Sequence, residues 1–221
     1  MNAKKLTILA MLSAIAFLLA AFVRVPVVLF LRYDPKDVVI VIGGFLFGPL
    51  AALMISVVVS FTQMITVSST GFIGFFMNVL GSAAFCCTAS YIYQKQRNMK
   101  GAVIGLGVGA VLAISAMLLW NYFLTPIFMG WPREDVVAIL LPAILPFNLI
   151  AYVGNGALTI LVYKHVKRAL VLARLLPPPP KAGEGEAIAQ GGRRVNWGLM
   201  AGALFVIVSA VLWVLILQGI I

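Results

Sequence analysis

Apolar runs long enough to cross a bilayer, separated by clusters of charge, recur along this chain and constrain its fold more than any other feature. A hydrocarbon core of about 30 Å needs roughly 20 residues of helix. Inside it the backbone must satisfy its own hydrogen bonds, so such runs read as helices. The first covers 6–23, after Lys4 and Lys5. The stretch 38–64 is too long for one span, and Gly48-Pro49 within GGFLFGP (43–49) should split it into a short helix and a full one. After a break at VSSTG (67–71), runs follow at 72–93 and 101–124. The sixth contains LPAILPFNLIAYVGNG (141–156) and ends in a basic segment, YKHVKRALVLAR.

With 63% hydrophobic and 10% charged residues, the chain lacks the polar surface of a soluble domain. The expectation is an all-α membrane protein with a six-helix core over 1–170. A Pro/Gly-rich cytoplasmic linker over 171–196 and a seventh transmembrane helix over 197–221 follow. Run 6–23 carries no cleavage site of the kind that ends a signal peptide. The net charge of +10 is not a nucleic-acid signal, because its distribution follows the membrane. With the N-terminus inside, Lys4, Lys5, Lys95, Arg97, Lys100 and the seven basic residues between Lys164 and Arg194 are cytoplasmic. Only Arg24, Arg32, Lys36 and Arg133 lie outside, where Asp34, Asp37, Glu134 and Asp135 balance them. This topology puts the end of the seventh helix outside. Adjacent Cys86 and Cys87 in an apolar run suit helix packing rather than a disulfide or metal site.

Asn148, Tyr152 and Asn155 are spaced i, i+4 and i+7, which sets them on one helical face. An amide within a bilayer needs a partner, so this face should look into protein or a cavity. Counting helix rise from the basic ends places Asn148, Asn121, Asn78 and Gln63 in one layer near the outer surface, with residues 135–142 in an outer loop or interfacial turn. Asn155 falls about 10 Å deeper and reads as structural. Capping or helix packing is the competing role for each amide. For Tyr33, Trp120, Tyr122 and Trp131 it is an interfacial aromatic belt.

No catalytic set is expected: four carboxylates fall in outer loops and two in the linker, and the single His165 sits among cytoplasmic lysines and arginines. The chain therefore reads as a binder whose energy comes from elsewhere. On the first helix, Ala10 and Ala14, with Ser13, Ala16, Ala20 and Ala21 nearby, form a small-residue face suited to close helix approach, within this chain or with a partner.

The stretches AMLSAIAF (10–17), LRYDPKDVVIVIGGFLFGP (31–49), WNYFLTPIF (120–128) and LPFNLI (145–150) resemble the substrate-binding S components of energy-coupling factor (ECF) transporters, closest to the riboflavin-specific (RibU) type. The resemblance implies a six-helix S-component bundle, an outward pocket and a capping loop after the first helix. It further implies that Ala10 and Ala14 dock on a transmembrane coupling subunit bound to two cytoplasmic ATPases. Leu31 and Tyr33 would belong to the capping loop, and Asn121 and Asn148 would bond the polar edge of the isoalloxazine ring. Riboflavin enters as the transported ligand, and no cofactor is implied. Asn78, Gln63 and Ala151 complete the candidate binding set. Ala151 is a departure, since the riboflavin pattern usually has lysine there; a charge-assisted hydrogen bond of about 1.5–3 kcal/mol is lost. Either another group replaces it or the ligand differs. The alternatives are an S component for another vitamin, an integral-membrane enzyme, for which the spans lack an acid, base or metal cluster, and a scaffold holding anionic lipid with its basic segment.

Overall fold

The computed structural model describes residues 3–28, 31–68 and 70–175. Of the expected linker, residues 171–175 are the end of the last described helix and a turn, and from position 176 on the linker and the seventh helix lie outside the described residues. Helix α1 (Ala3–Phe22) leads into a hairpin of β1 (Val25–Val28) and β2 (Leu31–Tyr33), antiparallel with Val25 opposite Tyr33 and an irregularity between Pro26 and Val28. The remaining helices are α2 (Lys36–Phe47), α3 (Pro49–Thr66), α4 (Gly71–Ser82), α5 (Thr88–Gln96), α6 (Met99–Met129), α7 (Arg133–Ile139) and α8 (Leu145–Leu172). Among the described residues five rods are long and apolar enough to cross a membrane: α1, α3, α4 with α5, α6, and α7 with α8. The chain is thus an all-α, multi-pass membrane protein with a small hairpin.

The short α2 is the centre of the bundle. Residues 36–45 are all buried, as expected for a helix apolar around its whole circumference. It ends at Gly48, whose φ of +98° and ψ of 171° lie in a region essentially restricted to glycine. Pro49 then opens α3 at a position where its missing N–H is no loss. At the same end Phe45 stacks on Tyr93 with ring centres 4.2 Å apart, and the Tyr93 and Tyr163 hydroxyls meet at 2.8 Å. This aromatic cluster closes one end of the bundle; the hairpin lies at the other.

Two π turns shape the rods. One, Ala83–Cys87, joins α4 to α5, and the turn and the start of α5 pack against a bare face of α6: a Cβ at Gly109 would lie 2.6 Å from the Phe85 carbonyl oxygen in the turn, and one at Gly105 2.7 Å from that of Ala89 in α5. The other, Leu140–Ile144, joins α7 to α8. Residues 135–142, expected in a loop or interfacial turn, are therefore helical. A proline lacks an N–H and clashes with the carbonyl four residues back, which favours a break. The extra residue of the π turn accommodates Pro142 without ending the rod. Helix α6 likewise continues past the expected end at 124 and carries Pro126 inside it.

Candidate functional site

Between the hairpin, α2, α4, α6 and α8 lies a cavity of about 210 Å³, lined mainly by apolar groups with polar groups at intervals. Helix α8 contributes Asn148, Tyr152 and Asn155, all buried, and α6 contributes buried Asn121. Asn121 and Asn148 sit inside apolar helices, where the side-chain N–H has a ready acceptor one turn back. Asn121 donates to the Met117 carbonyl at 2.7 Å and Asn148 to the Ile144 carbonyl at 2.7 Å. Asn121 Oδ1 accepts from Thr125, whereas Asn148 Oδ1 accepts from no protein group among the described residues. Leu31, Tyr33, Asn78 and Ala151 line the same cavity. Gln63 does not; it is buried in a second, adjoining cavity that also includes Asn78.

The hairpin is fastened over the cavity from two sides. Tyr33 donates its hydroxyl to Asn155 Oδ1 at 2.8 Å, and Asn155 Nδ2 reaches the Asp34 carbonyl at 3.5 Å. Burial, reinforced by the Asp34 and Asp37 carboxylates, holds the Tyr33 phenol well above its ordinary pKa, so it remains a donor. On the other side, Lys36 Nζ contacts both Asp34 carboxylate oxygens at 3.1 Å and Asn78 Oδ1 at 3.0 Å. Asp37 accepts from Ser82 at 2.5 Å.

These contacts correct one expectation and add to another. Asp37 is not in an outer loop: it occupies the buried first turn of α2, next to buried Lys36. Acidic and basic groups therefore do occur inside the bundle. Asn155, read as structural because of its depth, holds the hairpin through Tyr33 and Asp34 and also lines the cavity. A signal for the first was present: the run following Lys36-Asp37 is apolar on every side, so its helix had to be buried from its first turn. Ala10 and Ala14 are exposed on the outer face of α1, whereas Ala16 and Ala20 are buried within the bundle. Trp120, Tyr122 and Trp131 do not line the cavity.

Helical rods around an amide-rich chamber, covered by a hairpin, define a membrane-embedded unit that holds a small molecule. The family model for the ECF transporter substrate-specific component matches residues 4–163, and the chain belongs to that family. It is a transporter component and not an enzyme. The riboflavin transporter RibU of Staphylococcus aureus is 31% identical over 176 residues, covering 76% of this chain and 92% of its own. RibU of Streptococcus thermophilus is 26% identical, covering 77% and 86%, and the riboflavin transporter FmnP of Bacillus subtilis 28%, covering 68% and 85%. A solved S component of a bacterial ECF transporter superposes with a TM-score of 0.64 at 31% identity, over 76% of this chain and 97% of that one.

Proposed function

We propose that this chain captures riboflavin or a close flavin in the amide-lined cavity and moves it across the membrane when docked on an ATP-driven coupling module. The observation that carries this reading is the convergence of Asn78, Asn121 and Asn148, from three helices, on one mostly apolar cavity beneath the hairpin. A flat apolar ring with a polar edge matches such a lining. The names of the relatives supply the vitamin. Asn121 and Asn148 meet the polar edge of the ring, while Leu31 and Tyr33 cover it.

Ala151 leaves the α8 wall without a cation, but Lys36 brings a buried ammonium to the same cavity from α2. Its three donors are engaged by Asp34 and Asn78, so Lys36 can answer the missing lysine only by giving one of these contacts over to the ligand. Ala10 and Ala14 form the docking face for a transmembrane coupling subunit carrying two cytoplasmic ATPases. The core spans 1–170 with its N-terminus inside. The linker 171–196 is cytoplasmic, and the seventh helix, 197–221, ends outside.

The test is purification in mild detergent followed by a visible absorption spectrum and a titration that follows quenching of riboflavin fluorescence. Bound flavin absorbance or saturable, equimolar quenching is expected. A colourless protein that quenches nothing would overturn the flavin assignment and leave family membership standing.

A further inference from the structure

The second cavity, of about 120 Å³, adjoins the first and shares Arg32, Asp34, Thr70 and Asn78 with it. Its lining is mostly polar, and three of its hydrogen-bonding atoms have no partner among the described residues: Arg24 Nε, Ser60 Oγ and Gln63 Oε1. Ser60 and Gln63 are only 1% and 2% exposed, so solvent does not satisfy them freely. Buried water would satisfy these atoms as well, and solvent screens the exposed Arg32, but Arg24 is half-buried and its charge is better answered by an anion. Asp34 is already matched by Lys36. Arg24 donates from Nη1 to the Val67 carbonyl at 2.9 Å, and neither Arg24 nor Arg32 has an ion-pair partner among the described residues. Two unmatched guanidiniums beside a hydroxyl and an amide form a donor set for a phosphate group. Gln63 needs only to exchange the positions of its oxygen and nitrogen to present donors as well.

We propose that this side chamber is a phosphate subsite, continuous with the main cavity and built on Arg24, Arg32, Ser60 and Gln63. As part of the flavin reading, it takes the phosphate of a ligand phosphorylated on its tail. The same chemistry also admits free phosphate or a lipid phosphodiester, and the experiment separates these sources.

The full-length protein in a phosphate-free maltoside detergent is titrated with riboflavin and with riboflavin 5′-phosphate, alongside Arg24→Gln and the near-isosteric Gln63→Glu. Its thermal unfolding is followed with added inorganic phosphate or phosphatidylglycerol. Binding of the 5′-phosphate at least as tight as that of riboflavin, weakened about tenfold or more in Arg24→Gln while riboflavin is unchanged, identifies the ligand's own ester. Stabilisation by inorganic phosphate or by lipid that both variants lose supports the subsite and identifies the other source. If the protein binds neither flavin, the flavin reading fails and the unfolding arms still decide the subsite. Should the wild-type protein and both variants respond alike to all three phosphates, the proposal is overturned.

Discussion

Lys36 and Asp34 lie two residues apart, yet their ion pair ties the hairpin to α2, and through Asn78 to α4. Among the described residues Lys36 is the only buried cation. Removing one partner of a buried pair leaves the other charge desolvated, which costs about 3–5 kcal/mol in other proteins. Lys36→Met and Asp34→Asn should each lower the melting temperature, and the double variant should recover most of the loss. Flavin affinity separates scaffold from ligand contact. If Lys36 donates to the ligand, the double variant stays weakened by about tenfold after stability returns. Affinity that recovers together with stability would confine Lys36 to the scaffold. Asn121 and Asn148 were legible in the sequence, because an amide in an apolar run has few uses. Lys36 and Asp37 were harder to place: charges next to a proline at the edge of a run look like a loop, and only the run after them, apolar on every side, signals that their turn is buried.

Helix α2 has 12 residues and cannot cross the membrane alone, so its position depends on the turn that joins it to α3. Gly-Pro announced that turn, since proline starts a helix well and glycine allows the backbone to fold sharply before it. The continuity of α7 into α8 was hidden for the converse reason: Pro142 looks like a stop, and a sequence gives no sign of the π turn that absorbs it. A methyl group on Gly48 would meet no atom within 4 Å, so steric crowding plays no part there. Gly48→Ala should still destabilise the protein by about 1–3 kcal/mol through backbone strain. Its melting temperature should fall well below that of the wild type, with the affinity of the remaining folded protein preserved. An unchanged melting curve would mean that the α2–α3 junction relaxes into a conformation open to any residue.

At the scale of the whole chain, the direction of the rods follows from contacts between their ends. Lys5 lies over the Phe47 ring at 5.7 Å, and Gln94 donates to the Phe45 carbonyl at 2.9 Å. The start of α1 therefore shares one end of the bundle with the ends of α2 and α5. Arg24 meets the Val67 carbonyl at the opposite end, beside the hairpin. In the proposed orientation the first end is cytoplasmic, since Lys4, Lys5, Lys95 and the segment after Lys164 would gather there. That orientation would bring the chain back to the cytoplasm after α8, and a seventh crossing would then expose its final residue to the outside. Fluorescent-protein fusions test both steps, because such a reporter matures in the cytoplasm and not after export. A fusion after residue 175 should fluoresce, and one after residue 221 should be dark but active when alkaline phosphatase replaces it. Fluorescence at both positions would show that 197–221 does not cross. A dark fusion at 175 would reverse the orientation of the core, and with it the side from which the cavity is loaded.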